Sequence, residues 1–291
     1  MKVQVLLAGI SLLLTSQLSA QTKVSYLTTA LRHPESVISD GKYYYVSDIG
    51  AAMQPTVKDG DGAIVQLSAD GQVLSANIAK TPLDAPKGSA IIKGVLYVAD
   101  VDKIRAISLA SGEALATIDF STYKTSFLND VVTKDVHTLF VTASDLGKVF
   151  EVQLGATPVI KDLGVTLPMT NGLSYEAHQQ RLYINTMGAR GDGEIGFISW
   201  QAGKAVYSRI GSDSGIFDGL AVVDKNTLVY SDWRSFEKVA GVLKKIDVRS
   251  GAVVSVPLPV IAGPADFYYD AKHHRVLLPV MLEGKIQVID L

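Results

Sequence analysis

Four side chains carry hard oxygen donors at one place in a recurring pattern: Glu35, Asn129, Asn171 and Asp218. Each follows a turn signal and leads into an apolar, strand-like run. Two carboxylates and two amide carbonyls suit a hard divalent cation completed by water, Ca²⁺ first, with Zn²⁺ or Mn²⁺ as alternatives. Asn, Asp and Glu also begin strands because they make turn hydrogen bonds, and for any one of the four that reading suffices. Four at one register favour the cation, because crowded carboxylates without one repel each other and resist burial. The chain has no Cys, which removes thiolate zinc sites, cysteine nucleophiles and disulfides.

The elements that must position these donors are read from a repeat. A small or polar turn, an apolar strand, a second turn and a second strand recur over 33–48, 85–100, 127–143, 170–186, 217–232 and 263–280. The matching residue in the six copies is Glu35, Lys87, Asn129, Asn171, Asp218 and Ala265, at intervals of 52, 42, 42, 47 and 47. Each interval is the length of one four-stranded propeller blade, about 40 to 50 residues. A third apolar segment follows each pair, as in AIVQLS (63–68) and KVFEVQL (148–154), and segments such as VLSANI (73–78) supply a fourth. The fold predicted is all-β, a six-bladed β-propeller. Its last copy runs out of chain after a third strand, so KVSYLTT (23–29) is expected to complete that blade and close the ring. Inner strands then surround a central channel, and their starts converge at one mouth of it.

Residues 1–20 have a basic start at Lys2, an apolar run from Val3 to Leu14 and a small-residue ending, Leu18-Ser19-Ala20. This reads as a secretory signal, and the run is too short for a membrane span. The expectation is cleavage after Ala20, a single propeller domain over 21–291, a periplasmic or secreted location and no stable membrane insertion. With 27 Lys+Arg against 29 Asp+Glu, the chain has no basic field to hold a nucleic-acid backbone.

Pro34-Glu35, Asn129-Asp130, Asn171-Gly172-Leu173 and Asp218-Gly219-Leu220, each followed by an apolar strand, resemble the senescence marker protein, gluconolactonase and regucalcin family of six-bladed propellers. The resemblance covers essentially the whole mature chain. It implies one divalent metal held by Glu35, Asn129, Asn171 and Asp218, lactone hydrolysis, and Asp218 as general base. The chemistry also stands on its own terms: a cation polarises an ester carbonyl and acidifies its water, and a neighbouring carboxylate takes the proton. Asp218 is preferred for that role because glycine follows it and leaves room for a substrate, with Glu35 in reserve. The sequence departs from the family at Phe127, where gluconolactonase relatives place a sugar-binding arginine. An apolar ring cannot donate to sugar hydroxyls, so a less polar lactone or ester fits better. Lys87 could stabilise an oxyanion, a solvated or salt-bridged lysine being the plainer reading.

Long loops at 50–62, 187–196 and 233–241 are expected on the same face, offering Met53, Arg190, Trp233 and Phe236 for substrate contact, with Tyr123 beside them. Gly191-Asp192-Gly193-Glu194-Ile195-Gly196 matches a dinucleotide fingerprint by letters, but a strand follows where a helix is required. Asp59-Gly60-Asp61-Gly62 lacks the later Glu of a calcium loop. His33 reads as a support behind the donors or a merely structural histidine, and His273-His274 as an exposed turn. The resulting expectation is an exported metal-dependent hydrolase of lactones or related esters acting on a small molecule, with the oligomeric state open. The alternatives are a noncatalytic propeller platform, and a propeller like strictosidine synthase that needs no metal quartet.

Overall fold

The structure is a computed structural model that describes residues 24–291; the leader expected over 1–20 lies outside them. Six four-stranded antiparallel sheets follow one another along the chain. Their innermost strands are Pro34–Ser39, Pro86–Ile92, Leu128–Asp135, Thr170–Glu176, Phe217–Asp224 and Tyr268–Asp270, defining blades I to VI. Blades I to V are plain meanders, each strand pairing with the next. In blade VI the fourth strand is Val24–Thr28, which pairs antiparallel with Lys285–Asp290, Val24 opposite Ile289 and Tyr26 opposite Gln287. This is the closure expected from the sequence, and it covers the strand edge that would otherwise invite association. Among the described residues no helix is long and apolar enough to cross a membrane.

Alternation along the strands turns one row of apolar side chains toward each neighbouring blade. Between blades II and III, Ala99, Ile104, Leu139, Val141 and Phe150 are fully buried, and the Phe120 and Phe150 rings meet edge to face at 5.4 Å. Burying each such aliphatic or aromatic side chain contributes about 1.5–3 kcal/mol.

The inner strands are irregular at the register that bears the oxygen donors. In blades II to V, two inner-strand residues oppose one on the second strand, as between the pairs Leu128–Ala143 and Val131–Val141. In blade I the register shifts between Pro34 and Ser36. These bulges take Glu35, Lys87, Asn129, Asn171 and Asp218 out of the ladder, and a bulge re-aims the side chain it carries.

A bulge also frees backbone groups that must find partners in a dry interior. Side chains of the second strand take them. Thr142 Oγ1 accepts from Asp130 N at 2.9 Å and donates to Asn171 O in the next blade at 3.0 Å. Asn185 accepts from Gly172 N and donates to Asp218 O at 2.7 Å. Ser231 accepts from Gly219 N and donates to Ala265 O. At the last join Asp266 N donates to Glu35 O at 3.0 Å, beside Ser36 Oγ donating to Asp266 Oδ2 at 2.8 Å. Each clasp satisfies one bulge and fastens it to the following blade.

Replacing Thr142 with Val keeps the shape and removes both bonds, leaving a buried N–H and a buried carbonyl unpaired. The expected loss is about 1–3 kcal/mol of stability by urea unfolding, whereas Thr133→Val, at an exposed position on the inner strand of the same blade, should change stability little.

Candidate functional site

The bulged residues meet in a cavity of about 250 Å³ at one mouth of the channel, lined by Glu35, Lys87, Asn129, Asn171 and Asp218 together with an apolar collar. All five are buried, from 1% exposed at Lys87 to 7% at Asp218. Glycines at three of the bulges, Gly88, Gly172 and Gly219, permit the close approach of the blades. A Cβ on Gly172 would lie 2.2 Å from Asp218 O, and one on Gly219 would lie 2.5 Å from the Phe267 ring. The glycine after Asp218 therefore serves blade packing, since the space beside it is filled by blade VI and not open to a substrate.

Hydrogen bonds orient the donors. Asn129 Nδ2 donates to Ser144 Oγ and Asn171 Nδ2 to Phe217 O, both at 3.1 Å, which turns each amide nitrogen toward protein and leaves the carbonyl oxygen without a protein partner. Trp233 Nε1 donates to Asp218 Oδ2 at 2.8 Å. The other carboxylate oxygen, Asp218 Oδ1, is buried without a partner, and so is Glu35 Oε2. Two orphaned carboxylate oxygens beside two amide carbonyls are a donor set that a hard cation would satisfy, so the residues present fit such an ion. Among the described residues no cluster of three His, Cys, Asp or Glu side chains could hold a metal, so any ion here must use the amides.

Lys87 departs from its plainer reading. It is neither solvated nor salt-bridged: its Nζ donates to Pro55 O at 2.9 Å and Ala85 O at 2.8 Å, and it lies 5.5 Å from the Phe127 ring. Burial pushes the ammonium down to about 8, against the pull of Glu35, Asp100 and Asp84.

The acids are pushed the other way. Burial first, then the charge of Asp266, raises Asp218 from 3.8 to about 7, while the hydrogen bond from Trp233 acts downward. Glu35 is raised well above its ordinary value by burial and by Asp218 and Asp266, with Lys87 opposing. Deeper in the channel, Asp130 accepts Val131 N and Leu173 N, and Asp266 accepts Ser36 Oγ. Burial raises both, Asp266 to about 6.

Of the remaining residues expected at the site, Phe127 and Trp233 line the cavity, as do Met53 and Phe236 from the rim loops. Arg190 does not: it is exposed and borders a separate surface depression with Pro168 and Asp192. Tyr123 is turned the other way, its ring 4.7 Å from Phe150 in the seam of blades II and III and its hydroxyl donating to Ile160 O. It sits in a 3₁₀ turn that packs on the outer half of blade III, which draws the ring away from the mouth. His33 is held by Gly50 O at 3.0 Å and stays outside the cavity. Apart from Trp233, the collar has no counterpart in the sequence reading: Ile49, Val101, Trp233 and Met281 each follow the last residue of a second strand and cluster with Met187.

No family model matches the chain, and no curated protein matches it. Solved structures match its fold. A gluconolactonase from Xanthomonas campestris superposes with a TM-score of 0.67 at 17% identity, covering 93% of this chain and 90% of that one. A luciferin-regenerating enzyme gives 0.66 at 12%, covering 93% and 95%. Virginiamycin B lyase from Staphylococcus aureus gives 0.61 at 12%, covering 93% and 100%. At these identities the likeness establishes the six-bladed propeller.

The raised acids set a pH dependence. A carboxyl whose folded pKa exceeds its unfolded one stabilises the fold below the unfolded value, and that contribution disappears as pH rises through the folded value. In chelator, stability should therefore fall between about pH 4 and 7. Asp218→Asn should flatten that fall in melting temperatures measured across the window, and an unchanged profile would remove Asp218 as its source.

Proposed function

We propose that the protein is a hydrolase of lactones or related esters that uses a divalent cation, Ca²⁺ first, at the channel mouth. The observation that carries this reading is the pair of buried, unpartnered carboxylate oxygens, Glu35 Oε2 and Asp218 Oδ1, beside the carbonyls of Asn129 and Asn171. An empty set of this kind is costly, and a protein with no use for it would replace it with apolar residues. The presence of a gluconolactonase among proteins of the same fold supports the reaction class.

Glu35, Asn129, Asn171 and Asp218 would hold the ion. A divalent cation so held supplies carbonyl polarisation and a water of lowered pKa. Trp233 fixes Asp218 through Oδ2 and leaves Oδ1 for the ion, so that this carboxylate would stand beside the ion's water and take its proton. Lys87 has two N–H bonds committed to backbone and a third left for an oxygen that gains charge as the ester opens. The collar excludes water around these groups, which strengthens each electrostatic contact. Export to the periplasm or beyond, from residues 1–20, completes the proposal.

Calorimetry with Ca²⁺ should show one site that Glu35→Gln and Asn171→Ala each weaken at least tenfold. Turnover of γ-lactones and aryl esters should vanish in chelator and return with Ca²⁺, Zn²⁺ or Mn²⁺. Asp218→Asn should lower kcat by about 10²- to 10⁴-fold. Hydrolysis undiminished by chelator would defeat the cation, and undiminished in Asp218→Asn would defeat the base.

A further inference from the structure

The chain has five methionines, and every one after Met1 lines the same cavity: Met53, Met169, Met187 and Met281. They come from three blades and reach the mouth by different routes. Met53 belongs to the long loop of blade I and is 46% exposed. Met281, at 5%, and Met187 follow the second strands of blades VI and IV. Met169 precedes the inner strand of blade IV, two residues before Asn171, and holds a left-handed backbone with φ 55°. A long side chain in that region costs energy that Gly would avoid, and such residues gather where a side chain is needed for function. Trp233 and Phe236 continue the wall, their rings 5.4 Å apart, and Phe236 is 64% exposed at the outer lip.

Few hydrogen-bond donors face this space. The Trp233 N–H is bound to Asp218, Asn129 and Asn171 each commit one amide N–H, to Ser144 and to Phe217, and Lys87 has one N–H left. A polyhydroxylated ligand would bury hydroxyls against thioethers and rings with no partner, at a cost for each. An apolar substituent loses nothing there. Methionine is unbranched and deformable, so a wall made largely of it adapts to substituents of different shape.

We infer that the cavity is a seat for an apolar alkyl substituent, and that the substrates are alkyl-substituted lactones or esters of varied chain shape, not sugar lactones. The reacting group rests on the hydrolase reading, whereas the seat rests on the lining alone. A cavity of about 250 Å³ holds roughly eight non-hydrogen atoms if each takes about the 30 Å³ of a water. A five-membered lactone ring fills most of that, so a chain runs against the methionine wall, Met169 included, and leaves over Phe236 and Met53.

The test uses the Ca²⁺-loaded protein and two probe series. The first is cyclopentanone with 2-butyl- and 2-hexylcyclopentanone, which cannot be hydrolysed, followed by calorimetry. Affinity should rise up to about fourfold for each fully buried methylene. Met169→Gly suits the backbone at that position and empties part of the seat, so it should cut the gain from butyl by about tenfold while its melting temperature holds. Met281→Leu keeps the bulk and should retain the gain for linear chains. The second series is γ-butyrolactone, γ-decalactone and glucono-δ-lactone, scored by kcat/KM. Chain-dependent ketone binding with no lactone turned over would uphold the seat and defeat the hydrolase reading. Turnover that is flat in chain length or best for glucono-δ-lactone would defeat the seat and leave the hydrolase reading standing. Ketone affinity independent of chain length, or a gain unchanged in Met169→Gly, would also overturn it.

Discussion

The molecule depends on how its inner strands break the ladder without leaving backbone groups unpaired. A regular strand would point alternate residues into the blade seams and leave little to face the axis. The bulge at the start of five inner strands re-aims one residue per blade into the channel, and Thr142, Asn185 and Ser231 then answer the freed N–H groups while gripping the carbonyl of the next blade. The same device makes the site and holds the ring. Side chains of the second strand are therefore part of the site's frame, holding the donor residues by their backbone carbonyls.

Electrostatics gives that geometry its direction. Glu35, Asp218, Asp130 and Asp266 share a dry channel in which Lys87 is the one cation among the lining groups of the upper cavity. The lower pair is settled by local bonds, Asp130 taking two backbone N–H groups and Asp266 a serine hydroxyl. At the upper mouth, one oxygen each of Glu35 and Asp218 has no such answer. Charge is thus left unbalanced at the end of the channel where the cavity opens between the rim loops, and only there do amide carbonyls stand beside it.

Much of the architecture was legible because a propeller writes itself as a repeat. Intervals between Glu35, Lys87, Asn129, Asn171, Asp218 and Ala265 located the inner strands, and KVSYLTT was recognisable as the missing strand of blade VI. The donors were legible for the same reason, since shared register means shared position around the axis. What failed to show was whatever depends on packing between blades. Tyr123 lies close to Asn129 in sequence, yet its ring is drawn into a seam by Phe120 and Phe150. Arg190 sits in the right loop on its outer side. Lys87 reads as a surface lysine until the blade I loop is seen to lay Pro55 O against it. The collar had a signal, the residue after SD, AD, NT, SD and PV at the ends of second strands, but its apolar character looked like ordinary strand composition.

Closure by the first strand bears on the order in which the molecule is finished. Val24 and Ile289 are partners 265 positions apart, so this pairing joins the two most distant parts of the described chain. Contacts of such separation are slow to form, although the entropy of closing the loop grows only logarithmically with its length. In a growing polypeptide Asn129, Asn171 and Asp218 can settle side by side in consecutive blades, whereas Glu35 is locked only when Asp266 arrives from the other end to take its carbonyl. The fourth oxygen thus acts as a seal of assembly, complete only in molecules whose circle has shut.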